Sequence, residues 1–156
     1  MHTVELLLDS GLESLVRQMW FRLKQAGLPS LATHGHASNR PHLTVATAAS
    51  LAGLSGVELP LRAELGAVRS LGRAVVWEVR PTAELRELQA RVWEALDEAW
   101  PPPQEWVPHV SLALRVPAGQ HEAVPAALGD LPRAAGFFVA ARSYDTATRV
   151  VTDLAS

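Results

Sequence analysis

The chain predicts an α+β domain built on antiparallel sheet, and three observations carry that prediction. Stretches of period-2 alternation are separated by stretches with apolar residues at helical spacing. Two strand pairs are joined by short turns, as in antiparallel hairpins. A six-residue phrase also occurs twice, as Pro41-His42-Leu43-Thr44-Val45-Ala46 and as Pro108-His109-Val110-Ser111-Leu112-Ala113, so the chain reads as two similar halves. At 156 residues it has the length of one domain, or of two small lobes sharing a core.

Thr3 to Leu8 reads as a short buried strand. Ser10 and Glu13 then have capping-box spacing, and Leu12, Leu15, Val16, Met19, Trp20 and Leu23 follow on one helical face. Gly27 and Pro29 stop that helix, and residues 30–40 are expected to be a loop. His42 to Thr47 is a strand, and 48–56 a small helix or turn. Val57 to Val68 alternates like a half-buried strand, and Gly72-Arg73 turns it into Ala74 to Val79. Thr82 caps what reads as the longest helix, with Leu85, Leu88, Val92, Leu96 and Trp100 on its buried stripe and Pro101-Pro102-Pro103 as its end. A strand from His109 to Val116 follows, then a short helix over 120–128. Ala134 to Ala141 and Thr148 to Leu154 form a closing hairpin through Ser143-Tyr144-Asp145.

Composition narrows the function classes. The apolar share of 48% and charged share of 19% belong to a globular chain. Cysteine is absent, which removes disulfides, thiolate metal sites and a thiol nucleophile and fits a cytoplasmic setting. The first residues lack the pattern of a signal peptide, and no apolar run approaches membrane-spanning length, so no membrane partner is expected. With a net charge of -2 and a pI near 6.3, the chain lacks the basic balance of a protein that grips long duplex nucleic acid. A small phosphorylated ligand or the end of a strand fits that balance better.

In an extended strand side chains alternate faces, so His42 and Thr44 share one surface while Leu43 and Val45 anchor the other. The second phrase does the same with His109 and Ser111. Two imidazoles suit proton transfer in both directions near neutral pH. Phosphodiester hydrolysis needs a base for water and an acid for the leaving alkoxide, and the neighbouring hydroxyls can bond the phosphoryl oxygens. The scheme calls for no metal and no cofactor. The plainer reading is a pair of core histidines on ordinary strands, which does not explain one phrase in both halves.

The paired phrases and their half-chain spacing resemble the two-histidine phosphoesterase superfamily, and within it the bacterial 2′,5′ RNA ligase and cyclic phosphodiesterase group. The resemblance spans the whole chain. It implies a bilobal fold over residues 1–156: two antiparallel sheets with flanking helices, related by a pseudo-twofold axis across a central cleft. It further implies hydrolysis of 2′,3′-cyclic phosphates on a nucleotide or RNA 3′ end, and the protein is expected to be a monomer. His42 and His109 would then be the acid/base pair, and Thr44 and Ser111 would bind the phosphate. The short chain and acidic pI favour small nucleotides over long RNA. Related substrates, such as 2′,5′-linked oligoadenylates or ADP-ribose cyclic phosphate, fit the same motifs. So does a non-catalytic module that binds a phosphonucleotide or RNA end.

Other residues carry weaker signals. Arg40 shares the face of His42 if the strand extends back, where it would contact phosphate; a solvated loop arginine is the plainer reading. Trp106 would stack a base at the cleft mouth or lie over the core. His34-Gly35-His36 has the look of a metal pair without a third ligand, and His36-Ala37-Ser38-Asn39 mimics the motif without its apolar anchor. Trp20, Trp77 and Trp93 read as core. Tyr144 and Arg149 are near enough to the closing hairpin to reach the cleft.

Overall fold

The computed structural model describes residues 1–36, 38–131 and 133–154. Ala37, within the loop that mimics the motif, lies outside them, as do Pro132, Ala155 and Ser156. The strands are β1 (His2–Leu8), β2 (His42–Ala48), β3 (Leu61–Leu71), β4 (Ala74–Val79), β5 (His109–Ala113), β6 (Ala134–Tyr144) and β7 (Val151–Leu154). The helices are α1 (Ser10–Gln25) after β1, α2 (Ala83–Ala95) after β4, and α3 (Ala123–Leu128) after β5. The α+β class follows directly.

All the strand pairings are antiparallel, and they form one seven-stranded sheet in the order β1-β2-β5-β4-β3-β6-β7, with β1 also paired to β6. Two sheets were expected; pairing of β2 with β5 and of β3 with β6 instead stitches the halves together. The set of pairings among β1 to β6 is unchanged when β1, β2 and β3 are exchanged for β4, β5 and β6. The repeating unit is therefore strand-helix-strand-strand. The β3–β4 hairpin joins the two units rather than closing the first, which alternation within each strand could not reveal.

Burial explains the elements. In β1, Val4, Leu6, Leu7 and Leu8 are buried, and Leu12, Val16, Met19 and Leu23 of α1 pack into the same core. Leu85, Leu88 and Val92 of α2 do likewise. Several sequence expectations shift at element ends. The cap of α1 is Asp9, not Ser10: one carboxylate oxygen accepts the Leu12 N–H at 2.9 Å and the other accepts the Phe137 N–H at 2.8 Å. One side chain thus caps the helix and ties it to β6. A Cβ on Gly136 would collide with that carboxylate and with Leu12, so the strand needs glycine there. α2 has 13 residues against 16 in α1, so it is not the longest helix. It ends before Leu96, and Trp100 pairs with Thr47 as an isolated bridge, the residue 59% exposed. Ala48 ends β2, residues 49–56 hold a bend and a short turn but no helix, and Tyr144 belongs to β6 itself. Trp20 and Trp77 are buried; Trp93 is half-buried and donates to the Ala99 carbonyl.

Candidate active site

Both phrases become strands with the alternation their residues dictate. Leu43, Val45, Val110 and Leu112 are fully buried, while His42, Thr44, His109 and Ser111 are half-buried on the opposite face. β2 and β5 are neighbours, and Leu43 lies opposite Val110. With that pair as the crossing point, His42 falls on the side of Ser111 and Thr44 on the side of His109. His42 and His109 are thus diagonal neighbours on one face of the two strands, each beside the other motif's hydroxyl residue.

The two histidines are held in the same way. His42 Nδ1 is 2.7 Å from the Arg40 carbonyl, and His109 Nδ1 is 2.6 Å from the Val107 carbonyl. A carbonyl can only accept, so in each ring Nδ1 carries a proton and Nε2 is left for other chemistry. The hydroxyl residues are braced as well. Trp20 on α1 donates its indole N–H to the Ser111 carbonyl at 3.0 Å, and Trp106 donates to the Thr44 carbonyl at 3.1 Å. Each motif strand is thus fixed by an indole from elsewhere in the fold. Trp106, expected either to stack a base or to cover the core, packs against the core and braces β2. The Arg40 guanidinium bonds Glu13 on α1, while its carbonyl orients His42.

The surroundings of the two rings differ. Glu5 on β1 pairs opposite Thr44 and also opposite Arg142 on β6. Its carboxylate accepts from Arg142 Nε at 2.8 Å and from Thr3 Oγ1 at 2.8 Å, and lies 3.8 Å from His42 Nε2. The Glu5 and Arg142 side chains are only 4% and 6% exposed, so this is a buried ion pair with a catalytic candidate beside it. Arg142 Nη2 further donates to the Ser38 carbonyl at 2.7 Å. On the other side, Glu78 lies opposite His109 and Val76 opposite Ser111. Arg69 lies opposite Val76 and pairs with Glu78 at 3.5 Å. Burial holds the His109 pKa below the ordinary imidazole value of 6.5; the hydrogen bond to Val107 opposes this, and the charges of His42 and Arg69 add to it.

A cavity of about 560 Å³ opens beside His42, lined among others by Glu5, His34, His36, Arg142, Tyr144 and Arg149. Tyr144 and Arg149, which sequence could not place, therefore lie beside His42. Glu5, Arg142, Arg69 and Glu78 carried no motif. The available signal was Glu5 itself, a lone charge inside an apolar strand, which demands a buried partner. No group of three or more metal-ligating side chains occurs among the described residues, so His34 and His36 have no third ligand of that kind there.

A family model described as the 2'-5' RNA ligase superfamily matches residues 48–143. The match includes His109 and Ser111; His42 and Thr44 lie just ahead of it. No curated protein matches the chain. Matched over more than half its length, this chain belongs to the 2'-5' RNA ligase superfamily, and through it to the two-histidine phosphoesterases.

Proposed function

We propose that this protein hydrolyses a 2′,3′-cyclic phosphate, or a closely related phosphodiester, on a nucleotide or RNA end. The supporting observation is the matched tethering of His42 and His109. Each Nδ1 donates to the carbonyl two residues back, and neither Nε2 makes a hydrogen bond among the described residues of these adjoining strands. One neutral ring takes a proton from water as its oxygen attacks phosphorus. The other ring, protonated, gives its proton to the ribose 3′ oxygen as the phosphorus–oxygen bond breaks. One water is consumed, a 2′-phosphate monoester forms, and the two rings exchange protonation states. Thr44 and Ser111 hold the non-bridging oxygens, whose charge grows in the transition state. Membership of a superfamily named for 2'-5' RNA ligation supports phosphodiester chemistry in general.

The test is a substrate panel assayed in excess chelator: the four 2′,3′-cyclic mononucleotides, 2′,5′-linked dinucleotides and RNA ending in a cyclic phosphate. Release of 2′-monophosphates from cyclic substrates is expected. Ligand-dependent thermal stabilisation without product from any panel member would replace this reading with a binding module.

A further inference from the structure

The relation between the two units extends past the histidines to β3 and β6, which are both 11 residues long. Val76 stands between Ser111 on one side and Arg69 on the other; Glu5 stands likewise between Thr44 and Arg142. Arg69 therefore corresponds to Arg142, and Val68, Ser70 and Leu71 correspond to Ala141, Ser143 and Tyr144. An Arg-Ser pair thus recurs at matching places. β3 and β6 pair with each other over residues 61–65 and 134–138, and beyond that crossing each strand offers a separate edge. On β6 the edge is taken. β7 pairs with Ala141 to Tyr144, and Ala141, Arg142 and Ser143 are buried. On β3 the matching place holds no strand among the described residues. Gly66, Ala67, Arg69 and Ser70 are exposed there, and Val68 and Leu71 are half-buried.

That edge has backbone groups to offer. β3 turns back into β4 through two residues, Gly72 and Arg73, with Leu71 opposite Ala74, and Gly72 at φ +57° takes the tight reversal. The residues flanking a two-residue hairpin turn form a hydrogen-bonded pair, and such pairs alternate along the ladder. The N–H and C=O groups of Ser70 and Val68 therefore point away from β4. No other backbone group among the described residues bonds to them. The irregular residues Gly66 and Ala67 lie just before this stretch, and the Gly66 carbonyl accepts from the Trp77 indole. His121 contacts the Ser70 hydroxyl at 2.9 Å, on a face of the sheet and clear of its edge. At the near end a cavity of about 820 Å³ opens, lined by Gly66 and Ala67 and by Leu131 and Arg133 from the segment entering β6. Glu64 and Arg80 in its wall pair with each other. Arg69, Arg73 and Arg133 flank the edge, and the chain has no acidic residue between Leu65 and Trp77. Glu78 pairs with Arg69 at 3.5 Å, so an excess of positive charge remains.

We propose that the open edge of β3 is a docking site for an extended acidic segment of a partner protein, which adds as an antiparallel strand in the place that corresponds to β7. The form of the occupant follows from β7 itself. There Val151, Thr152, Asp153 and Leu154 stand opposite Tyr144, Ser143, Arg142 and Ala141. The same order of apolar, hydroxyl, acidic and apolar residues sets a hydroxyl opposite Ser70 and a carboxylate opposite Arg69. Main-chain bonds to Val68 and Ser70 supply the attachment, and the cationic flank selects the sequence. A second copy of this chain fits the edge poorly. The register that uses all four groups on both copies puts Arg69 opposite Arg69, and like charges placed so repel. The site is independent of the proposed phosphodiester chemistry, which neither supports it nor depends on it.

The test titrates the whole protein with an end-blocked peptide of the sequence of residues 148–154, Thr-Arg-Val-Val-Thr-Asp-Leu, and follows amide chemical shifts and hydrogen exchange. Saturable shifts should centre on residues 66–71. With free peptide at ten times its Kd, the Val68 and Ser70 amides should exchange about tenfold more slowly. The same peptide carrying Asp153→Lys should bind about fivefold or more weakly, the scale of one cross-strand charge pair. Ser70→Pro removes an outward N–H, a change that an edge strand tolerates, and should abolish binding. The measurements on the unaltered protein decide the matter if that variant does not fold. No shift at millimolar peptide, shifts centred on β6 and β7, or equal affinity for the lysine peptide would each overturn the proposal. So would undiminished binding by folded Ser70→Pro. Protection of Val68 and Ser70 that grows with protein concentration in the absence of peptide would assign the edge to a second copy, and would overturn it too. None of these outcomes bears on cyclic-nucleotide turnover, which is measured separately.

Discussion

Replacing Arg142 by methionine removes one member of a buried ion pair and leaves the other with nowhere to go. The Glu5 and Arg142 side chains are 4% and 6% exposed, and the Nε to Oε1 contact is 2.8 Å. With the guanidinium gone, the Glu5 carboxylate keeps, among the described residues, only the Thr3 hydroxyl as a close hydrogen-bond donor, and His42 lies beyond hydrogen-bonding distance at 3.8 Å. Breaking such a pair from one side costs about 3–5 kcal/mol. The Ser38 carbonyl also loses its Arg142 donor, so the segment before β2 loosens as well. For a chain of this size each kcal/mol lowers the melting temperature by roughly 2–4 °C. Urea unfolding should therefore place Arg142→Met at least about 3 kcal/mol below the parent. The double variant Glu5→Leu/Arg142→Met, with both charges gone, should recover most of that loss. A single-variant cost below about 1 kcal/mol, or a double variant as damaged as the single one, would refute the reasoning.

Two further expectations follow from the site. Trp106→Phe and Trp20→Phe each keep a ring in place but remove the indole N–H from the Thr44 or Ser111 carbonyl, costing about 1–3 kcal/mol in urea unfolding if the carbonyl is left unpaired. For His109, the folded-state pKa lies below the unfolded value, so between the two the unfolded chain binds more protons. Stability should rise with pH across that window, below 6.5, and level off above it. His109→Gln should flatten that rise in unfolding titrations.

Local patterns in the sequence were legible where one residue type decides the conformation. The alternation around His42 and His109 gave two strands with their polar residues on one face, and the Gly72-Arg73 turn gave the β3–β4 hairpin. What could not be read depends on partners far along the chain. Glu5 and Arg142 meet across 137 positions, and neither sits in a motif. Asp9 outcompetes Ser10 as the cap because it also reaches Phe137, a contact that exists only once β6 lies beside α1. Trp100 continued the helical stripe of α2, yet the chain leaves the helix at Leu96 and pairs Trp100 with Thr47. The joining of both halves into one sheet likewise rests on the β2–β5 and β3–β6 registers. The matched tethers of the two histidines were half visible. The phrase placed each ring on its face, but not the carbonyl two residues back that fixes its tautomer.

The central claim is that both rings move protons. Its most direct test is hydrolysis of 2′,3′-cyclic AMP, followed by phosphorus NMR in excess chelator, with the parent protein, His42→Ala and His109→Ala. General acid–base catalysis contributes typically 10²–10⁴-fold, so each single variant should lose at least about a hundredfold in rate while retaining its fold. Full activity in either variant would contradict the account.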